Sequence, residues 1–76
     1  MRIALVGYGK MGKIIHQIAL KRGHDVVATL DETPTVEKLN NPDVVIEFSS
    51  PESAFSNIKF CLENKIPVVA GTTGWL

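Results

Sequence analysis

The sequence predicts an α/β fold in which a parallel sheet carries helices on both faces. Apolar runs typical of buried strands alternate with segments whose apolar residues recur every three or four positions, as on one face of a helix. The first apolar run leads directly into a Gly-x-Gly-x-x-Gly segment at residues 7–12, and a helical pattern follows at once. This order of strand, glycine loop and helix indicates a Rossmann-like, doubly wound parallel sheet.

The first half of the chain predicts two strands with a helix between them. Residues 2–6 are mostly apolar and predict a buried strand, and residues 26–30 predict a second one. The helix is expected from Lys10 and ends at residues 21–23, where Lys and Arg occupy the last turn and a glycine follows. The residues expected on its buried face are Met11, Ile14, Ile15, Ile18 and Ala19.

The second half predicts a single helical turn within residues 35–41, a strand at 44–48, a longer helix and a strand at 67–70. Ser50, Pro51 and Glu52 are typical of a helix start, because they supply a hydroxyl N-cap, a proline at the first position and an acid in the first turn. The residues expected to be buried on this helix are Ala54, Phe55, Ile58, Cys61 and Leu62.

The connection lengths predict the strand order 2-1-3-4. Between Leu30 and Val44 there is room for a turn of helix but hardly for a further strand and helix, so the third strand is expected to cross back beside the first. The outer strand that such sheets usually have beyond the second strand would then be missing or vestigial around residues 33–36. Ligands of such sheets bind at the carboxyl ends of the strands, beside the point where the crossing direction reverses. We therefore expect the loops at 7–12, 48–50 and 71–74 to meet at one site.

The glycine spacing is that of a pyrophosphate-binding turn. Gly7 would allow a tight turn, Gly9 would leave room for the phosphates, and Gly12 would let the helix pack close to the strand. The first N–H groups of the helix and the positive end of its dipole then face the anion. Lys10 is either a phosphate contact or a solvated side chain. Tyr8 belongs to the loop that borders the cofactor and is interpreted as a packing residue rather than a catalytic one.

Asp31 ends the second predicted strand, roughly 20 residues after the glycine loop, where a carboxylate accepts hydrogen bonds from the adenosine ribose. Its charge repels a 2′-phosphate, and no arginine follows it, so the sequence favours NADH over NADPH. The alternatives are that Asp31 only starts a turn, or that Glu32 takes the ribose role.

Other polar residues form no catalytic or metal-binding pattern. Glu47 either points to solvent or accepts hydrogen bonds from a neighbouring loop, and a catalytic acid is the less favoured interpretation. His16 and His24 have no partner pattern and are expected at the surface or its boundary. The single cysteine, Cys61, is interpreted as a packed apolar residue. We predict no catalytic residue and no metal ligand in this chain.

Size and charge limit the classes of protein to which the chain can belong. Its 76 residues allow one domain at most. Eight basic side chains balance eight acidic ones, which gives neither the basic surface of a nucleic-acid-binding protein nor a polybasic membrane patch. No segment approaches the ~18 apolar residues of a membrane span, so we expect a cytoplasmic protein.

The chain resembles the N-terminal part of the 4-hydroxy-tetrahydrodipicolinate reductases, also called dihydrodipicolinate reductases, of lysine and diaminopimelate synthesis. Three motifs carry the resemblance: the glycine loop, Glu-Phe-Ser-Ser-Pro-Glu at residues 47–52, and Gly-Thr-Thr-Gly-Trp at 71–75. The glycine loop is shared by many dehydrogenases, whereas the last two motifs at this distance are much more specific. The similarity extends over essentially the whole chain.

The resemblance implies NADH or NADPH as cofactor and a small cyclic dicarboxylate as substrate of the full-length enzyme. It implies that Gly7, Lys10, Met11 and Gly12 line the pyrophosphate and that Asp31 contacts the adenosine ribose. It places Phe48 and Ser49 along the cofactor near its nicotinamide. The residues implied at the nicotinamide end are Gly71, Thr72 and Thr73, with Thr73 also near a substrate carboxylate.

The family's catalytic histidine and lysine and its tetramer-forming sheet belong to a later domain, to which no residue here corresponds. We therefore expect residues 1–76 to be an incomplete N-terminal dinucleotide-binding domain, inactive alone, that forms a homotetramer only with the missing domain. A second hypothesis is a stand-alone nucleotide-binding or regulatory module without catalysis. A third, a methyltransferase that uses S-adenosylmethionine, fits the third glycine and the Gly-Thr-Thr-Gly segment less well.

Overall fold

The computed structural model describes residues 1–71, in which strands and helices alternate as the sequence predicts. Within this range the elements are β1 (Arg2–Val6), α1 (Lys10–Lys21), β2 (Asp25–Leu30), α2 (Val36–Leu39), β3 (Val44–Glu47), α3 (Pro51–Glu63) and β4 (Val68–Ala70). Strand ends differ from the predicted ones by one residue in β2, β3 and β4. At β4 the reason is chemical: Pro67 has no N–H to donate, although its carbonyl accepts a hydrogen bond from the Val45 amide at 2.8 Å.

The four strands form one parallel sheet in the order β2-β1-β3-β4, which confirms the predicted order. At the carboxyl end of β1, Val6 pairs with Leu30 of β2 on one side and with Glu47 of β3 on the other. The predicted single turn between β2 and β3 is α2, and Thr35 caps it by accepting a hydrogen bond from the Lys38 amide at 3.1 Å. The chain therefore changes direction across β1, which creates the expected switch point at its end.

Helices cover both faces of the sheet. On one face Ile3 and Leu5 of β1 pack with Ala19 of α1. On the other face Ala4 and Val6 pack with residues of β2 and β3, of α2 and of α3, namely Leu30, Val45, Leu39 and Cys61. Successive residues of β1 enter opposite cores, so the strand is buried on both sides, as its unbroken apolar run predicts.

The predicted buried faces of α1 and α3 are wrong at several large apolar residues, whereas Ile15 and Ile58 are half-buried. Phe55 and Leu62 of α3 are each 65% exposed, and Ile14 and Ile18 of α1 are 46% and 47% exposed. Met11 is also exposed. The residues that are buried on the two helices are Gly12, Ala19, Ala54, Asn57 and Cys61. Small side chains allow a helix to pack closely on a sheet, and the buried strip of each helix is narrower than its apolar face.

The start of α3 has the predicted cap. Ser50 accepts a hydrogen bond from the Ser53 amide at 3.3 Å, Pro51 occupies the first turn, and Glu52 supplies the acid near the helix N-terminus. These residues give the helix an ordered entry immediately after β3. The β3–α3 loop is consequently held at the carboxyl edge of the sheet.

Candidate cofactor-binding site

An open cleft of about 470 Å³ lies at the carboxyl edge of the sheet. Its walls come from the glycine loop, the end of β2, the β3–α3 loop and the first turns of α3. The lining residues are Val6, Gly7, Gly9, Asp31, Glu32, Thr33, Phe48, Ser49, Ser50, Ser53 and Asn57. The loops after β1 and β3 therefore meet as predicted. Of the third loop, Gly71 is described and contacts Phe48, whereas the predicted site residues Thr72 and Thr73 lie outside the described residues.

Gly7 occupies the position of closest approach between β1 and the β3–α3 loop. Its φ is +92°, a conformation that side chains disfavour. A Cβ at this position would overlap the carbonyl group of Phe48 and lie 2.7 Å from the Ser49 nitrogen. The Gly7 amide donates to the Leu30 carbonyl at 2.6 Å. Glycine is thus required both by the turn and by the neighbouring backbone.

Gly9 and Gly12 differ in their surroundings, as their two predicted roles require. A Cβ on Gly9 would meet no atom within 4 Å, whereas one on Gly12 would lie 2.7 Å from the Gly7 carbonyl oxygen. Gly9 is also the N-cap of α1 and has no side-chain cap. The first N–H groups of an α-helix have no partner within the helix, and Gly9, which immediately precedes those of α1, lines the cleft. The cleft thus reaches the N-terminal end of α1, where helices favour anions, and it has open space beside Gly9.

Asp31 connects the end of β2 to the glycine loop. Its Oδ1 accepts a hydrogen bond from the Tyr8 amide at 2.6 Å, and the exposed carboxylate lines the cleft. Glu32 lines the same wall and forms an ion pair of 2.5 Å with Lys38 of α2. The sequence reasoning missed Lys38, because it considered only the residues immediately after Asp31. The predicted helical turn that begins near Thr35 was the only signal that Lys38 lies on a helix soon after Glu32.

Tyr8 packs against α1. Its hydroxyl lies 2.7 Å from Nδ1 of His16, and the two rings meet edge to face with centroids 5.7 Å apart. His16 is half-buried, at the boundary where it was expected. Lys10 and Met11, which the resemblance implies at the pyrophosphate, begin α1 and have exposed side chains. Neither residue is among those that line the cleft.

Glu47, the last residue of β3, is fully buried. Its carboxylate lies against the β3–α3 loop and not in solvent. Its Oε2 accepts hydrogen bonds from the Ser49 amide at 3.2 Å, from the Ser49 hydroxyl, and from Nδ2 of Asn57 at 2.9 Å. Of the two interpretations of Glu47, the hydrogen-bonding one is confirmed and the solvent-facing one is wrong. Sequence reasoning missed Asn57, although its spacing from Ala54 and Cys61 places it on the same helix face.

Phe48 lies between the turns after β1 and β4. Its backbone carbonyl is against Gly7, and its ring is so close to Gly71 that a Cβ there would overlap it. The Gly71 amide donates to the Glu47 carbonyl at 2.8 Å. Phe48 and Ser49 both line the cleft. Phe48 can occupy this position in the cleft wall because neither Gly7 nor Gly71 has a side chain.

Cys61 is buried in the core beneath this wall. Burial, and secondly the charge of Glu47, raise the pKa of its thiol. A raised pKa keeps the sulfur protonated and unreactive. Cys61 is therefore a packed core residue, as interpreted from the sequence.

The family described as dihydrodipicolinate reductase, N-terminus, matches residues 1–76. The chain belongs to this family. It is similar to the 4-hydroxy-tetrahydrodipicolinate reductase of Christiangramia forsetii, with 50% identity over 100% of this chain and 33% of the relative. The reductase of Corynebacterium urealyticum is 34% identical over 99% of the chain and 32% of the relative. That of Exiguobacterium sp. is 35% identical over 99% of the chain and 32% of the relative.

The family assignment confirms the resemblance and agrees with the observed Rossmann-like sheet. The chain spans about a third of the length of the curated relatives it matches. Among the helices of residues 1–71, none has the length and apolar character needed to cross a membrane.

Proposed function

We propose that the chain forms the nicotinamide dinucleotide-binding part of a reductase that converts 4-hydroxy-tetrahydrodipicolinate to tetrahydrodipicolinate in lysine and diaminopimelate biosynthesis. One observation carries the proposal: the start of α1 faces an open cleft in which a side chain on Gly9 would meet nothing. That space fits a diphosphate, and relatives of the chain are named as this reductase. The bound cofactor would supply a hydride to the cyclic substrate.

The residues of this chain would bind and orient the dinucleotide. The backbone of residues 7–12 would hold the diphosphate, and the Asp31 carboxylate would accept hydrogen bonds from the adenosine ribose. Phe48 and Ser49 lie across β1 from Asp31, which is the side expected for the nicotinamide half. Gly71, Thr72 and Thr73 would complete the nicotinamide end, and Thr73 would approach a substrate carboxylate. The catalytic residues and the homotetramer interface are proposed to come from the rest of the full-length protein.

We expect a preference for NADH over NADPH. The wall at the adenosine end carries Asp31 and Glu32, and a 2′-phosphate placed beside them would be repelled. Lys38 is the only cation paired with this wall among the described residues, and it is already bound to Glu32. The local charge therefore favours a ribose hydroxyl over a phosphate.

The test is titration of the 76-residue chain with NADH, using Gly9→Val as the decisive variant. Gly9 has φ −88° and open surroundings, so valine is tolerated by the fold but occupies the space assigned to the diphosphate. We expect NADH binding by the wild type and at least a tenfold loss in the variant. The control is Gly23→Ala, a change at another uncrowded glycine that is not among the cleft residues. It should bind NADH like the wild type wherever it is folded.

Equal NADH affinity of wild type and Gly9→Val would contradict the assignment of the cleft. Binding of S-adenosylmethionine in place of NADH would instead favour the methyltransferase hypothesis. A stop codon directly after codon 76 in the native gene, together with NADH binding by the chain, would favour the stand-alone module.

A further inference from the structure

Glu47 is a fully buried carboxylate beside an open cleft, and no role in binding has so far been assigned to it. We propose that Glu47 is a positioning residue: it holds Ser49 and Asn57 so that the Phe48–Ser49 backbone stays in the cleft wall at the nicotinamide side. This inference rests on the proposed dinucleotide-binding function. It concerns the residue that shapes the wall rather than those that contact the ligand.

The contacts of Glu47 connect two segments of the wall. Its Oε2 accepts from the amide and the hydroxyl of Ser49, which belongs to the loop, and from Nδ2 of Asn57, which belongs to α3. The same Asn57 nitrogen lies 3.2 Å from the Ser49 hydroxyl oxygen, so each of the three side chains contacts the other two. A charged acceptor makes shorter and stronger hydrogen bonds than a neutral one and therefore orients its donors more tightly.

The segment held in this way is also confined from two sides. The Phe48 carbonyl and the Ser49 nitrogen lie directly against Gly7 of the pyrophosphate-binding turn. The Phe48 ring lies against Gly71 at the end of β4. Neither contact determines the direction of the Ser49 side chain or of its amide. The Glu47 carboxylate acts on both, because the amide and the hydroxyl of Ser49 donate to the same oxygen. The hydroxyl also lies 3.4 Å from the Ser50 carbonyl oxygen.

A role in stability alone would not explain why a charge is present. Moving a carboxylate out of water is costly, and an apolar residue of similar volume at a buried position is often as stable or more stable. Val45, the preceding residue on this face of β3, is apolar and equally buried. Glu47 is the next residue on this face and lies beside the cleft. The residues that donate hydrogen bonds to it, Ser49 and Asn57, line the cleft wall. This location links the carboxylate to the shape of the site.

The experiment compares NADH with 5′-AMP as ligands of the same variants. 5′-AMP occupies only the adenosine side, which Asp31 borders, whereas NADH also requires the wall formed by Phe48 and Ser49. We expect Glu47→Gln to lower the affinity for NADH about tenfold and to leave that for 5′-AMP within about twofold. The matched control is Glu63→Gln, which removes an exposed carboxylate at the far end of α3 and should change neither affinity.

A second variant and a readout without ligand complete the test. Asn57→Ala removes one donor of the cluster and should show the same selective loss, even where Glu47→Gln folds poorly. In the free protein, hydrogen exchange at the Ser49 amide should accelerate in Glu47→Gln, while exchange in β1 stays unchanged. Unchanged NADH affinity in the folded variants, or equal losses for NADH and 5′-AMP, would overturn the inference. Failure of the wild type to bind NADH would instead overturn the proposed function, and the inference would fall with it.

Discussion

The amide of Tyr8 donates a 2.6 Å hydrogen bond to the carboxylate of Asp31, and this bond ties the glycine loop to the end of β2. The two residues are far apart in the sequence and belong to two segments, the glycine loop and the end of β2, that both line the candidate cleft. The carboxylate thus has two tasks: it holds the loop through Oδ1, and its charge acts on the cleft. A substitution that separates these tasks tests each of them.

Asp31→Asn keeps an oxygen that can accept from Tyr8 but removes the negative charge. We expect the affinity for NADPH to rise relative to that for NADH by about fivefold, since repulsion of a 2′-phosphate near the surface is on the order of 1 kcal/mol. Isothermal titration with both cofactors measures the ratio. Glu37→Gln is the matched control, because it removes a charge from the nearby α2 without lining the cleft. An unchanged ratio in Asp31→Asn would remove the basis for the predicted NADH preference.

Gly7→Ala should destabilise the fold strongly. Alanine at φ +92° is strained, and its methyl group would overlap the Phe48 carbonyl, so we expect a loss of about 3 kcal/mol or more in unfolding free energy. Gly23→Ala is the control, because Gly23 has φ +80° but open surroundings. It should cost about 1–2 kcal/mol, which is the strain alone. Urea unfolding followed by circular dichroism measures both values, and equal losses would show that the contact with Phe48 is unimportant.

Ser50→Ala should lower the unfolding free energy by about 1 kcal/mol, because the Ser53 amide at the start of α3 loses its acceptor. Ser56→Ala provides the comparison within the same helix. Ser56 is exposed in the helix interior, where alanine is slightly more favourable than serine. Thermal or urea unfolding should therefore show a lower stability than the wild type for Ser50→Ala and a slightly higher one for Ser56→Ala. If both variants have the stability of the wild type, the Ser50 cap contributes nothing.

Cys61 should make the stability depend on pH in the alkaline range. Because the folded state raises the pKa of the thiol, the unfolded chain releases this proton first as the pH rises. The contribution of the thiol to stability is thus present below the ordinary thiol pKa of about 8.5 and is lost as the pH approaches the folded value. The difference in unfolding free energy between wild type and Cys61→Ala should narrow as the pH rises above the ordinary thiol pKa. A difference that stays constant over this range would contradict the expectation.

The glycine loop was predictable because its chemistry is local. The spacing of Gly7, Gly9 and Gly12 after an apolar strand already specifies a turn, an open position and a close helix contact. The helix start at Ser50 and Pro51 was predictable for the same reason, since caps depend on neighbours within a few residues. The surroundings of the three glycines in the folded chain match those local requirements.

The helix faces were less predictable because burial depends on what lies opposite. Phe55 and Leu62 have the spacing of a buried stripe, yet the sheet is covered by the smaller Ala54, Asn57 and Cys61. A periodic pattern identifies the apolar side of a helix only within the width of that side. The sheet then selects the residues that allow the closest approach.

The sequence by itself determined the alternation of strands and helices, the strand order and the glycine turn after β1, because each of these depends on local spacing or on the length of a connection. Only the tertiary structure decided that Glu47 is bound by Ser49 and Asn57, that Asp31 holds Tyr8, and that Lys38 pairs with Glu32. These contacts form because separate helices, strands and loops come close together in the folded chain. No short window of residues contains both sides of these contacts.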